Sequence, residues 1–209
     1  FVVGKLAQAG TDGRPRHLLM TNRHVAELFA RGFGQRNLVF HEGQQVAVDF
    51  KREILPTTPV LLNVEAVVMI HPYWDMAMLR IVGLADDFPV LSLSTEDPAG
   101  CVDRDVVVIG YPAQDYRSNA ELQNRIFGGV YEVKRMQPGK LKTRNDFPSY
   151  GKTVNAVTHD CSTLGGNSGS AVIEFADPNP EAPARVVGLH FAGEYLKANY
   201  AVPTFDLAQ

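Results

Sequence analysis

The chain has 209 residues, 45% hydrophobic and 21% charged, which is the composition of an ordinary globular protein and excludes disordered and fibrous classes. Its formal net charge is -3 and its basic residues do not cluster, so we expect no nucleic-acid partner. No apolar run approaches the roughly 20 residues of a membrane-spanning helix, so we expect no membrane partner either. The compartment is undetermined, with the cytoplasm slightly favoured over secretion.

Short apolar or alternating runs, separated by turn residues, follow one another along the chain and predict strands. The predicted strands are residues 1–4, 17–21, 46–50, 60–70, 77–82, 106–110, 126–134, 153–158, 171–175, 186–190 and 200–202. One brief helix is predicted at residues 24–30, a polar loop at 112–124 and a proline-rich surface connection at 177–183. Many short strands without sustained helical periodicity predict an all-β barrel or sandwich.

A turn-rich segment near residues 98–100 separates two groups of strands. It predicts an N-terminal half at residues 1–98 and a C-terminal half at residues 99–209. Because residues 1–4 already have the pattern of a core strand, we expect the domain to be cut from a longer protein. A regulatory domain or partner protein would then be available to gate it.

The strongest chemical motif is Gly-Gly-Asn-Ser-Gly-Ser at residues 165–170, followed by an apolar strand. Flanking glycines permit the tight turn that would present Ser168 as a nucleophile. In that turn the backbone N–H groups of Gly166 and Ser168 would form an oxyanion hole. The alternative interpretation is a glycine- and serine-rich turn that only joins two strands.

A serine nucleophile requires a base, and the base requires an acid that fixes its tautomer. His24 is the predicted base, since it lies where a strand ends and a short helix begins, and Asp75 is the predicted acid at the start of an apolar strand. The alternatives are a surface histidine that caps the helix and a solvated turn aspartate. The order His, Asp, Ser is that of chymotrypsin, whereas Ser170 breaks the G-x-S-x-G elbow of α/β-hydrolases.

Five segments together resemble the trypsin-like (chymotrypsin-fold) serine peptidases, and specifically their bacterial glutamyl endopeptidase branch. They are Thr-Asn-Arg-His-Val at 21–25, Asp-Met-Ala-Met-Leu at 75–79, Val-Val-Val-Ile-Gly-Tyr-Pro at 106–112, residues 160–170 and Val-Val-Gly-Leu-His-Phe-Ala-Gly at 186–193. The resemblance implies two six-stranded antiparallel β-barrels, residues 1–98 and 99–209, with the active site in the cleft between them. It also implies no metal and no organic cofactor.

The resemblance also assigns a pocket for the substrate residue that precedes the cleaved bond. Ser162 stands where trypsins carry the aspartate that selects Lys or Arg, and Asn167 stands where they carry the aspartate that pairs with a newly cut N-terminus. The hydroxyl of Thr163 and the imidazole of His190 are hydrogen-bond donors that suit Glu or Gln. The strand that lines the pocket continues through Phe191, Ala192 and Gly193. The alternative is a structural His190 beside a pocket for small apolar residues.

The predicted function is a serine endopeptidase that hydrolyses polypeptides through an acyl-enzyme. The alternatives are a non-catalytic binding or scaffolding domain on the same fold, and an esterase without significant proteolysis. Cys101 and Cys161 are expected to be free thiols. The spacing of the remaining histidines, His17, His41, His71 and His159, does not predict a metal site.

Overall fold

Strands are the predominant regular secondary structure of the described residues. The computed structural model describes residues 1–6, 12–34, 37–55, 58–174 and 184–209. The strands of the first half are β1 (Val2–Lys5), β2 (Arg16–Thr21), β3 (Ala30–Arg31), β4 (Val39–Phe40), β5 (Ala47–Asp49), β6 (Leu61–Ile70) and β7 (Ala77–Val82). Those of the second half are β9 (Asp105–Gly110), β10 (Arg135–Ser149), β11 (Lys152–His159), β12 (Ala171–Glu174), β13 (Arg185–Glu194) and β14 (Ala198–Pro203). The short β8 (Ser92–Leu93) precedes the predicted boundary at residues 98–99 but belongs to the sheet of the second half. The helices are α1 (Arg23–Ala26), α2 (Ala120–Phe127), α3 (Thr204–Leu207) and a 3₁₀ turn at Pro98–Cys101.

The first half forms a five-stranded antiparallel sheet in the order β1-β2-β7-β6-β5, accompanied by the two-stranded ribbon β3-β4. Alternating residues of β7 point to one face, so Leu79 and Ile81 are buried together with Leu19 from β2 and Val64 from β6. These aliphatic side chains form the core of the first half.

The second half closes into a ring of six antiparallel strands, β12-β9-β10-β11-β14-β13, because β13 pairs back onto β12. The short β8 adds to β13 in parallel. Inside the ring, Val106, Val108, Val157 and Val172 are fully buried. The predicted all-β, double-barrel, chymotrypsin-like fold is confirmed, with the first barrel divided between the sheet and the ribbon.

A third cluster of buried side chains joins the two halves. Met20, Trp74 and Met76 from the first half pack with Leu189 and Phe191 from the second. The elements that carry His24, Asp75 and the 160–170 loop begin or end beside this cluster. The cluster therefore holds the two halves together at the candidate site.

Most predicted strands are observed with bounds within two residues, but two predictions in the second half are wrong. Residues 126–134 do not form a strand: α2 ends at Phe127, Gly128 has a positive φ of 65°, and β10 begins only at Arg135. The predicted loop at 112–124 contains the start of α2. Its N-cap is Asn119, whose side chain accepts a hydrogen bond from the N–H of Leu122.

The brief helix predicted at residues 24–30 is present but shorter, since α1 covers Arg23–Ala26 and a turn follows it. The surface connection predicted at residues 177–183 lies outside the described residues. Within those residues, no helix has both the length and the apolarity that crossing a membrane would require.

Candidate active site

His24 and Asp75 are hydrogen-bonded to each other. The Nδ1 atom of His24 lies 2.6 Å from Oδ2 of Asp75, and the backbone N–H of His24 donates to Oδ1 at 3.0 Å. Asp75 is buried, with 5% of its surface exposed, whereas the side chain of His24 is 39% exposed. The carboxylate therefore holds one edge of the imidazole and leaves the other edge facing outward.

Two residues that the sequence did not single out for this purpose hold Asp75 in place. The side-chain amide of Asn22 donates to the backbone carbonyl of Asp75 at 3.0 Å, and Asn22 is fully buried. His71 accepts hydrogen bonds from the backbone N–H groups of Tyr73 and Trp74, at 3.1 and 2.9 Å. His71 thus stabilises the turn that leads into Asp75.

The loop that carries Ser168 lies against the strand that leads to His24. A Cβ at Gly169 would come within 2.6 Å of Oγ1 of Thr21, so only glycine permits this approach. Gly169 donates its N–H to the carbonyl of His190, and His190 donates its N–H to the carbonyl of Ser170, both at 3.0 Å. Within the described residues, the Ser168 hydroxyl makes no hydrogen bond, including none to His24. A hydrogen bond between a nucleophile and its base is often long without substrate and shortens only when substrate binds.

The orientation of the peptide between Gly165 and Gly166 is fixed. The carbonyl of Gly165 accepts a hydrogen bond from the N–H of Ala113 at 2.7 Å. In a trans peptide the C=O and N–H point in opposite directions, so the N–H of Gly166 faces away from Ala113. Gly166 has a φ of 87°, and a Cβ there would meet the carbonyl of Tyr111 at 2.5 Å, so glycine is required.

A cavity of about 680 Å³ adjoins Ser168. All the residues predicted for the specificity pocket line it, and so do residues of α2 that the sequence had not indicated. The predicted lining residues are Ser162, Thr163, His190, Phe191, Ala192 and Gly193. The structure thus gathers one face of the 160–170 loop and the end of β13 around a single space beside the Ser168 side chain.

A family model described as Trypsin-like peptidase domain matches residues 7–188. The chain belongs to this family.

Similar proteins agree with the assignment. A probable serine protease of Lysobacter enzymogenes is 25% identical over 213 residues, covering 90% of this chain and 53% of that protein. The chain thus spans about half the length of that curated relative. The name of this relative agrees with the family assignment of the chain.

Two solved structures share the fold. The crystal structure of Deg5 has a TM-score of 0.57 at 21% identity, with coverage of 100% of this chain and 78% of that one. The serine endoprotease from Yersinia pestis has a TM-score of 0.50 at 18% identity, with coverage of 92% and 50%.

In this trypsin-like peptidase domain, α2 supports the loop that carries Ser168. The buried side chain of Gln123 in α2 accepts from the N–H of Asp115 and donates to its carbonyl, at 2.9 and 2.7 Å. The Arg117 guanidinium, with smaller contributions from the backbone N–H groups of Arg117 and Gly165, lowers the pKa of Asp115 to about 2. The segment between Ala113 and Arg117 therefore contacts Gly165 on two sides.

Both cysteines of the domain are free and buried, as expected. Burial raises the pKa of Cys101 to about 11 and that of Cys161 to about 12, so neither thiol is an effective nucleophile at neutral pH. Across the part of the chain that the structure describes, no group of three or more His, Cys, Asp or Glu residues could hold a metal ion.

Two buried histidines make the stability of the domain depend on pH. Burial lowers the pKa of His159 to about 3, and burial with the neighbouring His159 and His24 lowers the pKa of His190 well below 6.5. Between pH 6.5 and 3 the unfolded chain binds more protons than the folded one, so the free energy of unfolding falls as pH decreases. Well below pH 6.5, we expect a loss of about 1.4 kcal/mol per pH unit for each histidine.

Urea unfolding at several pH values between 7 and 5 measures this dependence. The variant His159→Leu has one fewer titrating group, so its stability should depend on pH with a smaller slope than that of the wild type, whatever its stability at pH 7. Equal slopes in the two proteins would contradict the prediction.

Proposed function

We propose that this chain is the catalytic domain of a serine endopeptidase that cleaves polypeptides through an acyl-enzyme. Ser168 is the nucleophile, His24 the general base and Asp75 the residue that orients His24. The observation that carries the proposal is the 2.6 Å contact between Nδ1 of His24 and the buried carboxylate of Asp75. A buried carboxylate on Nδ1 keeps the proton there, so Nε2 is free to accept another.

The proposed reaction begins when Ser168 Oγ attacks the carbonyl carbon of the substrate while Nε2 of His24 takes the hydroxyl proton. The negative charge that develops on the carbonyl oxygen is stabilised by the N–H groups of Gly166 and Ser168. His24 then gives its proton to the leaving amine, and the acyl group stays on Ser168. Water, activated by the same imidazole, releases the acyl group and regenerates the enzyme. In this proposal, residues 1–98 and 99–209 form the two sides of the substrate cleft.

The cavity beside Ser168 supports a finer proposal about the substrate residue that precedes the cleaved bond. The side-chain nitrogen of Asn199 faces two backbone carbonyls, those of Cys161 at 2.8 Å and His159 at 3.4 Å. Its oxygen therefore faces Thr163, 2.5 Å away, and the Thr163 hydroxyl must donate to it. With its proton used in this way, the hydroxyl offers only lone pairs to a ligand, so the expectation that Thr163 would act as a donor to the substrate is corrected.

His190 offers the opposite polarity. Its Nδ1 lies 3.1 Å from Nε2 of His159, and His159 Nδ1 is buried with no partner among the described residues. A buried N–H without a partner costs more than a buried lone pair, so the proton of His159 sits on Nε2 and is donated to His190. The neutral imidazole of His190 then carries its own proton on Nε2. It is available as a donor to the cavity.

One acceptor and one donor complement a primary amide, because the amide NH₂ donates to Thr163 while the amide oxygen accepts from His190. A carboxylate would meet the lone pairs of Thr163 and would find no positive charge, because burial keeps His190 neutral. Of the two side chains that the glutamyl endopeptidase resemblance suggested, we therefore propose Gln rather than Glu.

Matched peptides that differ only in Gln, Glu or Met before the cleaved bond test this specificity. At pH 7 we expect kcat/KM for Gln to exceed that for Glu by about 10-fold, because an unpaired buried polar group costs about 1 to 3 kcal/mol and 10-fold corresponds to about 1.4 kcal/mol. Thr163→Val removes the acceptor and should reduce cleavage after Gln by about 10-fold, with little change for Met.

Thr153→Val, which removes an exposed hydroxyl outside the cavity, is the matched control. Dominant cleavage after basic or small apolar residues would refute the Gln assignment and leave the peptidase proposal intact.

A further inference from the structure

Behind the 160–170 loop, two buried side-chain amides bond to each other. The Nε2 atom of Gln137 donates to Oδ1 of Asn167 at 2.8 Å, and Nδ2 of Asn167 donates to Oε1 of Gln137 at 3.2 Å. Asn167 is fully buried and Gln137 is 3% exposed. We call this reciprocal pair the amide clasp.

The clasp connects the loop to the wall of the second barrel. Gln137 belongs to β10 and is paired with Val108 of β9, so its position is set by a continuous sheet. Gly110, at the end of β9, leaves the space that Asn167 fills, since a Cβ there would lie 2.3 Å from Oδ1 of Asn167. Glycine at 110 and glutamine at 137 together form the recess that receives Asn167.

Asn167 lies in the chain between the two proposed oxyanion donors, Gly166 and Ser168. Its N–H donates to the carbonyl of Leu164 at 3.2 Å, and its own carbonyl accepts from Ser170 at 3.0 Å. Fixing the Asn167 side chain therefore fixes the backbone on both sides of it, including the two N–H groups that would bind the oxyanion. A small displacement of such groups is costly, because their contribution depends on preorganised geometry.

We propose that Gln137 is a positioning residue that holds the oxyanion hole in its working geometry through the amide clasp. The proposal rests on the proposed serine peptidase function. Both partners are uncharged, so the clasp needs no ammonium group from elsewhere in the chain to neutralise a buried carboxylate. The two hydrogen bonds of the clasp would then order the 160–170 loop, and both side chains take their positions when the domain folds.

Because donor and acceptor have fixed places in the clasp, the proposal can be tested by changing the hydrogen-bonding group at position 137 as well as by removing it. Nδ2 of Asn167 also donates to the carbonyl of Leu164 at 3.1 Å, so the Asn167 oxygen must face Gln137. Position 137 therefore has to supply a donor. Met at 137 supplies none, while Glu supplies one only when its carboxyl group is protonated, and burial favours the protonated form.

The experiment measures the rate of labelling by a fluorophosphonate and the hydrogen exchange of residues 162–170. For Gln137→Met we expect labelling at least about 10-fold slower than in the wild type, and faster exchange in this segment. For Gln137→Glu we expect the labelling rate, relative to the wild type at the same pH, to rise as pH falls from 8 to 5.5. In Gln137→Met this ratio should not change.

Thr204→Val is the matched control, because the hydroxyl of Thr204, at the start of α3, is equally buried and is within hydrogen-bonding distance of two carbonyls, those of Ser94 and Val186. It should lose stability yet label and exchange at residues 162–170 as the wild type does. Wild-type rates and exchange in Gln137→Met would overturn the proposal, and so would labelling of Gln137→Glu that stays as slow as that of Gln137→Met at every pH from 8 to 5.5. If the wild type itself is not labelled, the peptidase proposal fails, and the exchange measurement alone decides whether the clasp orders the loop.

Discussion

Ser168→Ala is expected to lower peptide hydrolysis by at least about 10,000-fold and to abolish covalent labelling by a fluorophosphonate. Within the described residues the Ser168 hydroxyl makes no hydrogen bond, so the substitution removes none. The variant should therefore fold as the wild type does. Active-site labelling followed by mass spectrometry, with hydrolysis of a peptide substrate in parallel, measures both effects.

Ser92→Ala is the control for this prediction, because Ser92 is an exposed serine on β8 outside the site. Labelling of Ser168→Ala at the wild-type rate would place the nucleophile elsewhere. Absence of labelling and hydrolysis in the wild type as well as in Ser168→Ala would favour a non-catalytic domain on this fold. An esterase without proteolysis would be labelled and would cleave a small ester but no peptide.

Much of the fold was predictable because many strands have one buried face or are buried on both. Residues 77–82 alternate between buried and partly buried positions, and β7 has the predicted bounds. The valine run at 106–108 is fully interior, so a continuous apolar run was sufficient to identify β9.

The wrong predictions lie where local sequence preference disagrees with tertiary structure. β10 contains Pro138, Gly139 and Pro148, all residues typical of turns, yet Pro138 pairs with Val107 in the sheet. The apolar residues of α2, such as Ile126 and Phe127, resemble a strand in isolation. The helix forms because Asn119 caps it and because the buried side chain of Gln123 donates a hydrogen bond to the carbonyl of Asp115.

The chemistry of the site was easier to predict than its support. Ser168, His24 and Asp75 stand out in the sequence because each is proposed for a task that few residue types can perform, and because their order in the chain restricts the fold. Gln137 and Asn199 have no such signal, since an amide acquires its role only from the neighbour that the topology brings to it. Their partners, Asn167 and Thr163, are 30 and 36 residues away in the chain.

Asp75→Asn is expected to lower kcat by about 10,000-fold while KM changes little. The backbone N–H of His24 needs an acceptor, so the oxygen of the new amide should stay opposite it, where Oδ1 of Asp75 lies now. The amide nitrogen then faces Nδ1 of His24, which must give up its proton and act as an acceptor. The ring proton moves to Nε2, and an Nε2 that already carries a proton cannot take one from Ser168.

Steady-state kinetics with a peptide substrate, together with urea unfolding, separates this tautomer effect from loss of structure. Asp206→Asn is the matched control, because Asp206 is another carboxylate with a fixed partner: it is partly buried and is paired with both terminal nitrogens of Arg144 at 2.8 and 2.6 Å. We expect it to lose stability and keep kcat. If Asp75→Asn retained more than about a tenth of the wild-type kcat, Asp75 would not be orienting His24, because a wrong tautomer leaves no base for the reaction.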